Sequence, residues 1–232
     1  MNLLKTHDLT VGHGRPLISG INLEIGPGEC ILLCGANGSG KSTLMRTLAG
    51  VLPPLGGSFD GVPAVLIPTR IPKVGGFTLR EFIRTSCYKE SGWNGKLGDL
   101  AEKAIGQALD RLGLGPLAER DIATLSDGEF QKGCIATALV RLPAGDGGPG
   151  LILLDEPTAF LDVENRLQVL QTLRRITEGG KAALVFSSHD LADSTACATR
   201  ILGIAPDGRL HDSRSEDKDA LLRTCFPALD SR

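Results

Sequence analysis

The sequence predicts an α/β fold. Short apolar runs of strand length alternate with helical periodicity, and a glycine-rich loop joins one such run to a helix. A second run, Leu151 to Leu154, is apolar at every position and ends in the acids Asp155-Glu156. A run of that kind reads as a central parallel strand buried on both faces.

Strand signals open the chain over residues 2–11, followed by period-2 alternation from Ile21 to Ile25. Pro27-Gly28 makes a turn before the apolar run Cys30 to Cys34. The glycine-rich loop follows, then a helix from 42 to 50 that Gly50 and Pro53-Pro54 end. Val65-Leu66-Ile67 is another short strand, and residues 70–140 read as helical. There Leu97, Leu100, Ala101, Ala104, Ile105, Ala108 and Leu112 recur at i, i+3/i+4 as one amphipathic face, stopped by Gly113 and Gly115-Pro116. Leu142 to Gly150 is a Gly/Pro loop before the Leu151 strand. A helix over 163–177, strands at Leu184–Ser187 and Arg200–Ala205, a turn at Pro206-Asp207-Gly208 and a short helix near 217–225 complete the pattern. The whole is an α/β core with a helical insertion.

Composition narrows the function classes. The 232 residues are 41% apolar, with 25 basic and 27 acidic side chains and a net charge of −2. No basic stripe suited to a phosphate backbone stands out, so nucleic acid is not an expected partner. The six cysteines form no CxxC pair and read as buried reduced thiols in a cytosolic protein. No run approaches the roughly 18 apolar residues of a membrane span, and the N-terminus lacks a signal-peptide pattern. A membrane role would come through a partner.

Gly35-Ala36-Asn37-Gly38-Ser39-Gly40-Lys41-Ser42 matches G-x-x-x-x-G-K-[ST] at every fixed position, between a predicted strand and a predicted helix. Glycines let the backbone curl so that successive N–H groups face phosphates, and the helix N-terminus adds positive potential. Lys41 is placed to reach the β- and γ-phosphates of ATP, with the Ser42 hydroxyl on Mg²⁺; Thr43 completes the nucleotide-binding segment. Asp155, at the tip of a buried strand, is placed to hold Mg²⁺ directly or through water. Glu156 is placed to polarise the attacking water.

Leu125-Ser126-Asp127-Gly128-Glu129 starts a predicted helix after Thr124, and His189 ends the next strand. Together with the glycine loop and the acidic pair, these residues resemble the nucleotide-binding subunits of ATP-binding cassette (ABC) transporters over about residues 3–212. The resemblance implies a P-loop NTPase (RecA-like) core with an N-terminal antiparallel β subdomain and an inserted α-helical subdomain. The core would occupy 1–68 and 141–212, the helical subdomain 69–140, and a C-terminal tail 213–232. It also implies that two subunits join head to tail around two ATPs. Leu125 to Glu129 would act in trans, Ser126 and Gly128 of one chain capping the γ-phosphate held by Lys41 of the other. Ala159-Phe160-Leu161-Asp162 resembles the D-loop, and His189 the histidine that senses the γ-phosphate. Integral-membrane permease subunits would be partners, placing the chain in the cytoplasm on the inner face of the membrane.

The chain departs from the family pattern at three positions. His13 stands where an aromatic normally stacks on adenine. Thr69 stands where the strand should end in a glutamine that contacts Mg²⁺ and water. Asp127 replaces the first of a glycine pair, and a carboxylate there opposes the facing γ-phosphate unless it turns away to cap the helix, which is the expectation. Leu-Ser-Asp-Gly-Glu with Thr-Ala-Phe-Leu-Asp most resembles the branch that imports iron-siderophores, haem or cobalamin. Two other readings stay open: the ATPase of an exporter, and a regulatory module that no longer hydrolyses. A role in translation or repair is disfavoured by the single cassette and the lack of a basic linker or heptad run.

Overall fold

The computed structural model describes residues 2–87, 98–142, 150–180 and 182–227. The chain opens with β1 (Leu4–Gly12), β2 (Pro16–Ile21) and β3 (Glu24–Ile25). After the Pro27-Gly28 turn, β4 (Cys30–Gly35) leads through the glycine loop into α1 (Lys41–Leu48). β5 (Gly56–Gly61) and β6 (Ala64–Ile67) precede the helices α2 (Leu79–Thr85), α3 (Asp99–Arg111) and α4 (Asp127–Arg141). The chain then runs through β7 (Gly150–Leu154), α5 (Val163–Glu178), β8 (Ala182–Ser187) and α6 (Leu191–Cys197). It closes with β9 (Arg200–Ile204), β10 (Leu210–Asp212) and α7 (Lys218–Cys225).

Two sheets result. A four-stranded antiparallel sheet runs β2-β1-β3, with β5 also paired to β1. A six-stranded sheet has the order β10-β9-β4-β8-β7-β6, parallel except for the β9–β10 pair. Every residue of β4, β7 and β8 is buried, as strands covered on both faces must be. Side chains alternate between two cores. Ile31, Leu33, Leu151 and Leu153 meet the small sheet and α1 through Leu9, Ile18, Ile25 and Leu44. Leu32, Ile152, Leu154 and Phe186 meet the helices through Ile83, Ile105, Ile135 and Leu170. Each fully buried aliphatic side chain contributes about 1.5–3 kcal/mol, so the strand ends rest on a stiff platform.

Several elements differ from the sequence expectation, for local reasons. Ile21 to Ile25 is not one strand. The Thr6 hydroxyl donates to Ile21 O (2.8 Å) and accepts from Leu23 N–H (2.8 Å), replacing ladder bonds with a side chain. β5 carries too little β propensity to be seen, since its first two residues are Gly56-Gly57. Gly57 adopts φ 70°, and a Cβ there would lie 2.3 Å from Asp8 O, so the close approach to β1 requires glycine. Leu100 is 74% exposed, because the buried face of α3 runs through Ala101, Ile105 and Ala108, turned away from it. Leu97 and residues 143–149 of the expected loop lie outside the described residues. None of the six cysteines is joined in a disulfide, and five of them are buried. Among the described residues no helix is long and apolar enough to cross a membrane.

Candidate functional site

Parallel register brings the chemistry to one edge of the large sheet. Leu33 pairs with Ser187, and Leu154 with Phe186. The glycine loop, Asp155-Glu156 and Ser188-His189 therefore leave the sheet side by side, where a doubly wound sheet takes its ligand.

The loop's glycines hold backbone angles that other residues rarely adopt, with Gly38 at φ 78° and Gly40 at φ 105°. A Cβ on Gly40 would lie 3.2 Å from Ile18 Cδ1. Ala36, Asn37 and Gly38 are exposed at the loop's crest, while Ser39 is partly buried with its N–H on Ala36 O (3.2 Å). Gly40 is the N-cap of α1 and has no side chain to occupy the first-turn N–H groups, which suits an anion. The buried Lys41 ammonium donates to Gly35 O (2.8 Å) and Ala36 O (3.0 Å). Burial pulls its pKa below the usual lysine value, opposed by the charges of Glu156 and Asp155. Ser42 is partly buried one residue on, and Thr43 Oγ1 lies 3.3 Å from His13 Nε2.

The acids are wired to the neighbouring strands. Asp155 is buried, with its N–H on Ile67 O (3.0 Å). The fully buried Ser187 hydroxyl donates to Asp155 Oδ1 (2.9 Å) and accepts the Glu156 N–H (2.8 Å). Glu156 holds φ 52°, a left-handed conformation costing a residue with a Cβ about 1–3 kcal/mol. Its Oε1 lies 2.5 Å from His189 Nε2. Thr69 and Glu156 line one cavity of about 430 Å³, together with Asp127, Phe130 and Phe160.

The start of α4 is also built by local bonds. Ser126 is its N-cap: its hydroxyl accepts Glu129 N–H (3.2 Å), while Glu129 Oε2 accepts Ser126 N–H (2.7 Å). That capping box holds the Glu129 pKa below the usual carboxylate value. The expected cap role of Asp127 is thereby corrected. Ser126 already fills that position, and Asp127 sits in the first turn with Oδ1 3.2 Å from Lys73 Nζ. Lys73 also donates to Leu125 O (2.5 Å). Asp162 caps α5 by accepting Asn165 N–H (2.8 Å) and Asn165 Nδ2 (3.0 Å). A Cβ on Gly128 would lie 2.3 Å from Asn165 Oδ1, so glycine lets the starts of α4 and α5 touch.

Sequence reading missed Ser187, Lys73 and Asn165. Ser187 becomes visible only once β8 is set in register against β7. Lys73 and Asn165 lie far along the chain from Leu125–Glu129 and carry no motif of their own.

The family model for the ABC transporter matches residues 18–159. The hemin import ATP-binding protein HmuV of Nitrobacter winogradskyi is 33% identical, covering 87% of this chain and 79% of that protein. The iron(3+)-hydroxamate import ATP-binding protein FhuC of Bacillus subtilis is 31% identical, covering 82% of this chain and 74% of that protein. Among solved structures, a metal-chelate type ABC transporter in an inward-facing conformation superposes with a TM-score of 0.85 at 24% identity, covering 98% of this chain and 90% of the other. That likeness supports the fold. The chain belongs to the ABC transporter family, as one of its ATP-hydrolysing subunits.

Proposed function

We propose that two copies of this ATPase pair head to tail, each completing the other's ATP site. The work so driven would be uptake of an iron-siderophore, haem or cobalamin-type substrate through permease subunits. The observation that carries the hydrolytic reading is the wired set Asp155–Ser187–Glu156–His189. It ties a carboxylate and an imidazole together at the ends of strands that run parallel to the one leading into the glycine loop. The names of HmuV and FhuC favour iron-chelate uptake, in keeping with the Leu125–Glu129 and Thr158–Asp162 motifs. On this reading the chain works in the cytoplasm against the membrane's inner face.

The donor set fits Mg²⁺. Ser42 offers a hydroxyl and Asp155 a carboxylate, both hard oxygens. Among the described residues no cluster of three or more His, Cys, Asp or Glu could hold a metal alone. A cation sharing its shell with phosphate and water is what Mg²⁺ favours. When bound, it neutralises charge between the β- and γ-phosphates. Lys41 would leave the Gly35 and Ala36 carbonyls for those phosphates. Glu156 would accept hydrogen-bonding from the attacking water, with His189 holding the carboxylate's other side and sensing the γ-phosphate. His13, beside Thr43, would stack on adenine. Thr69, sharing a cavity with Glu156, could hold water through its hydroxyl. Ser126 and Gly128 would meet the γ-phosphate on the second copy, with Asp162 nearby through Asn165.

The test is turnover in vesicles carrying the chain with its permease. ATP hydrolysis should rise severalfold with a haem- or siderophore-loaded binding protein and stay flat with zinc. Stimulation by zinc alone, or efflux in place of uptake, contradicts the substrate reading.

A further inference from the structure

Asp127 places a negative charge in the first turn of a helix that the head-to-tail reading turns toward a second copy's ATP. An acid there suits the helix dipole but cancels the positive potential the helix end offers an anion. Glu129 adds a second carboxylate, although that one is occupied by the Ser126 N–H. We infer that Lys73 is a positioning residue whose ammonium neutralises Asp127 and so lets this helix end face a triphosphate.

Three contacts converge on Lys73 Nζ. It lies 3.2 Å from Asp127 Oδ1, donates to Leu125 O at 2.5 Å and sits 5.6 Å above the Phe130 ring. These contacts bracket the first turn of α4, so the lysine is aimed at that turn rather than at solvent. Asp127 stays 72% exposed while the Lys73 side chain is 25% exposed, leaving the carboxylate at the surface with its counter-ion behind it. Exposed pairs contribute little to stability, so the expected consequence lies in the potential at the helix end. Among the charged groups lining the shared cavity, it is Lys73 that pairs with Asp127. Glu156 is negative, and Arg70 is stacked on Phe160 with its Cζ 4.6 Å from the ring centroid.

The inference rests on the head-to-tail reading, and one experiment separates the two. In a Glu156→Gln parent, where slow hydrolysis lets an ATP-bound dimer persist, dimerisation is measured by sedimentation for Lys73→Met, Asp127→Asn and the double variant. Lys73→Met should weaken the ATP-dependent dimer about tenfold, more at low salt than at high. Asp127→Asn should leave it within about twofold of the parent or tighten it. The double variant should return to within about threefold, and ATP binding to the monomer should be the same in all four. A double variant as weak as Lys73→Met overturns the inference, since the lysine would then act through Leu125 O or Phe130. Equal loss in Asp127→Asn and Lys73→Met also overturns it, because the pair would matter as a clamp. A parent that stays monomeric with ATP contradicts the head-to-tail reading itself, and the inference falls with it.

Discussion

The strand ends around Lys41 and Asp155 and the start of α4 around Ser126 are held by different kinds of bond. At the strand ends the polar atoms are buried and tied across the sheet, Ser187 to Asp155 and Glu156, Lys41 to the carbonyls of its own loop. At the start of α4 the bonds lie at the surface: a capping box within four residues and an ion pair with Lys73, 54 residues away along the chain. Buried bonds in a low-dielectric site fix geometry before ligand arrives. Exposed caps shape a surface and leave it free to meet another molecule. The contrast fits a site with a preorganised half and a half supplied from outside.

Lys41→Ala should break the first half outright. ATP affinity measured by calorimetry should fall at least about a hundredfold with the fold intact, since a point charge opposing triphosphate repulsion is lost. Unchanged affinity would refute the glycine-loop assignment. Ser126→Arg should break the second half alone, abolishing ATP-driven dimerisation by steric clash while monomer affinity stays within a few-fold. A tenfold loss of monomer affinity would place Ser126 in its own chain's site.

How much of this was legible in the sequence follows the same division. Gly35 to Ser42 and Leu151 to Glu156 were readable because contiguous residues carry both the strand signal and the chemistry. The ligating edge followed from parallel strands ending together. Ser187 was not readable, since its role depends on β8 lying beside β7 with Leu154 opposite Phe186. Asp127 was misjudged for a related reason. A sequence shows that an acid near a helix start suits a cap, but the Ser126–Glu129 box claims that role and Lys73 claims the acid. β5 escaped notice because glycines that permit close strand approach also erase the strand pattern.

Smaller effects sharpen the comparison further. Ser187→Ala removes one buried acceptor and one donor, at about 1–3 kcal/mol. Turnover should fall about tenfold in steady-state assays while ATP affinity changes little, with partial recovery in Ser187→Thr. Equal turnover in Ser187→Ala would show that Glu156 keeps its φ 52° backbone without the serine. Thr69→Gln should alter turnover only a few-fold, with and without permease. If wild type shows no hydrolysis even with permease and Thr69→Gln restores it, the chain is a switch rather than a motor.

The most direct measurement is light scattering on the Glu156→Gln protein at saturating Mg·ATP. The protein should be monomeric without nucleotide and form a stable dimer with it, while wild type dimerises only transiently. A Glu156→Gln protein that remains monomeric at saturating Mg·ATP would contradict a site shared between two copies.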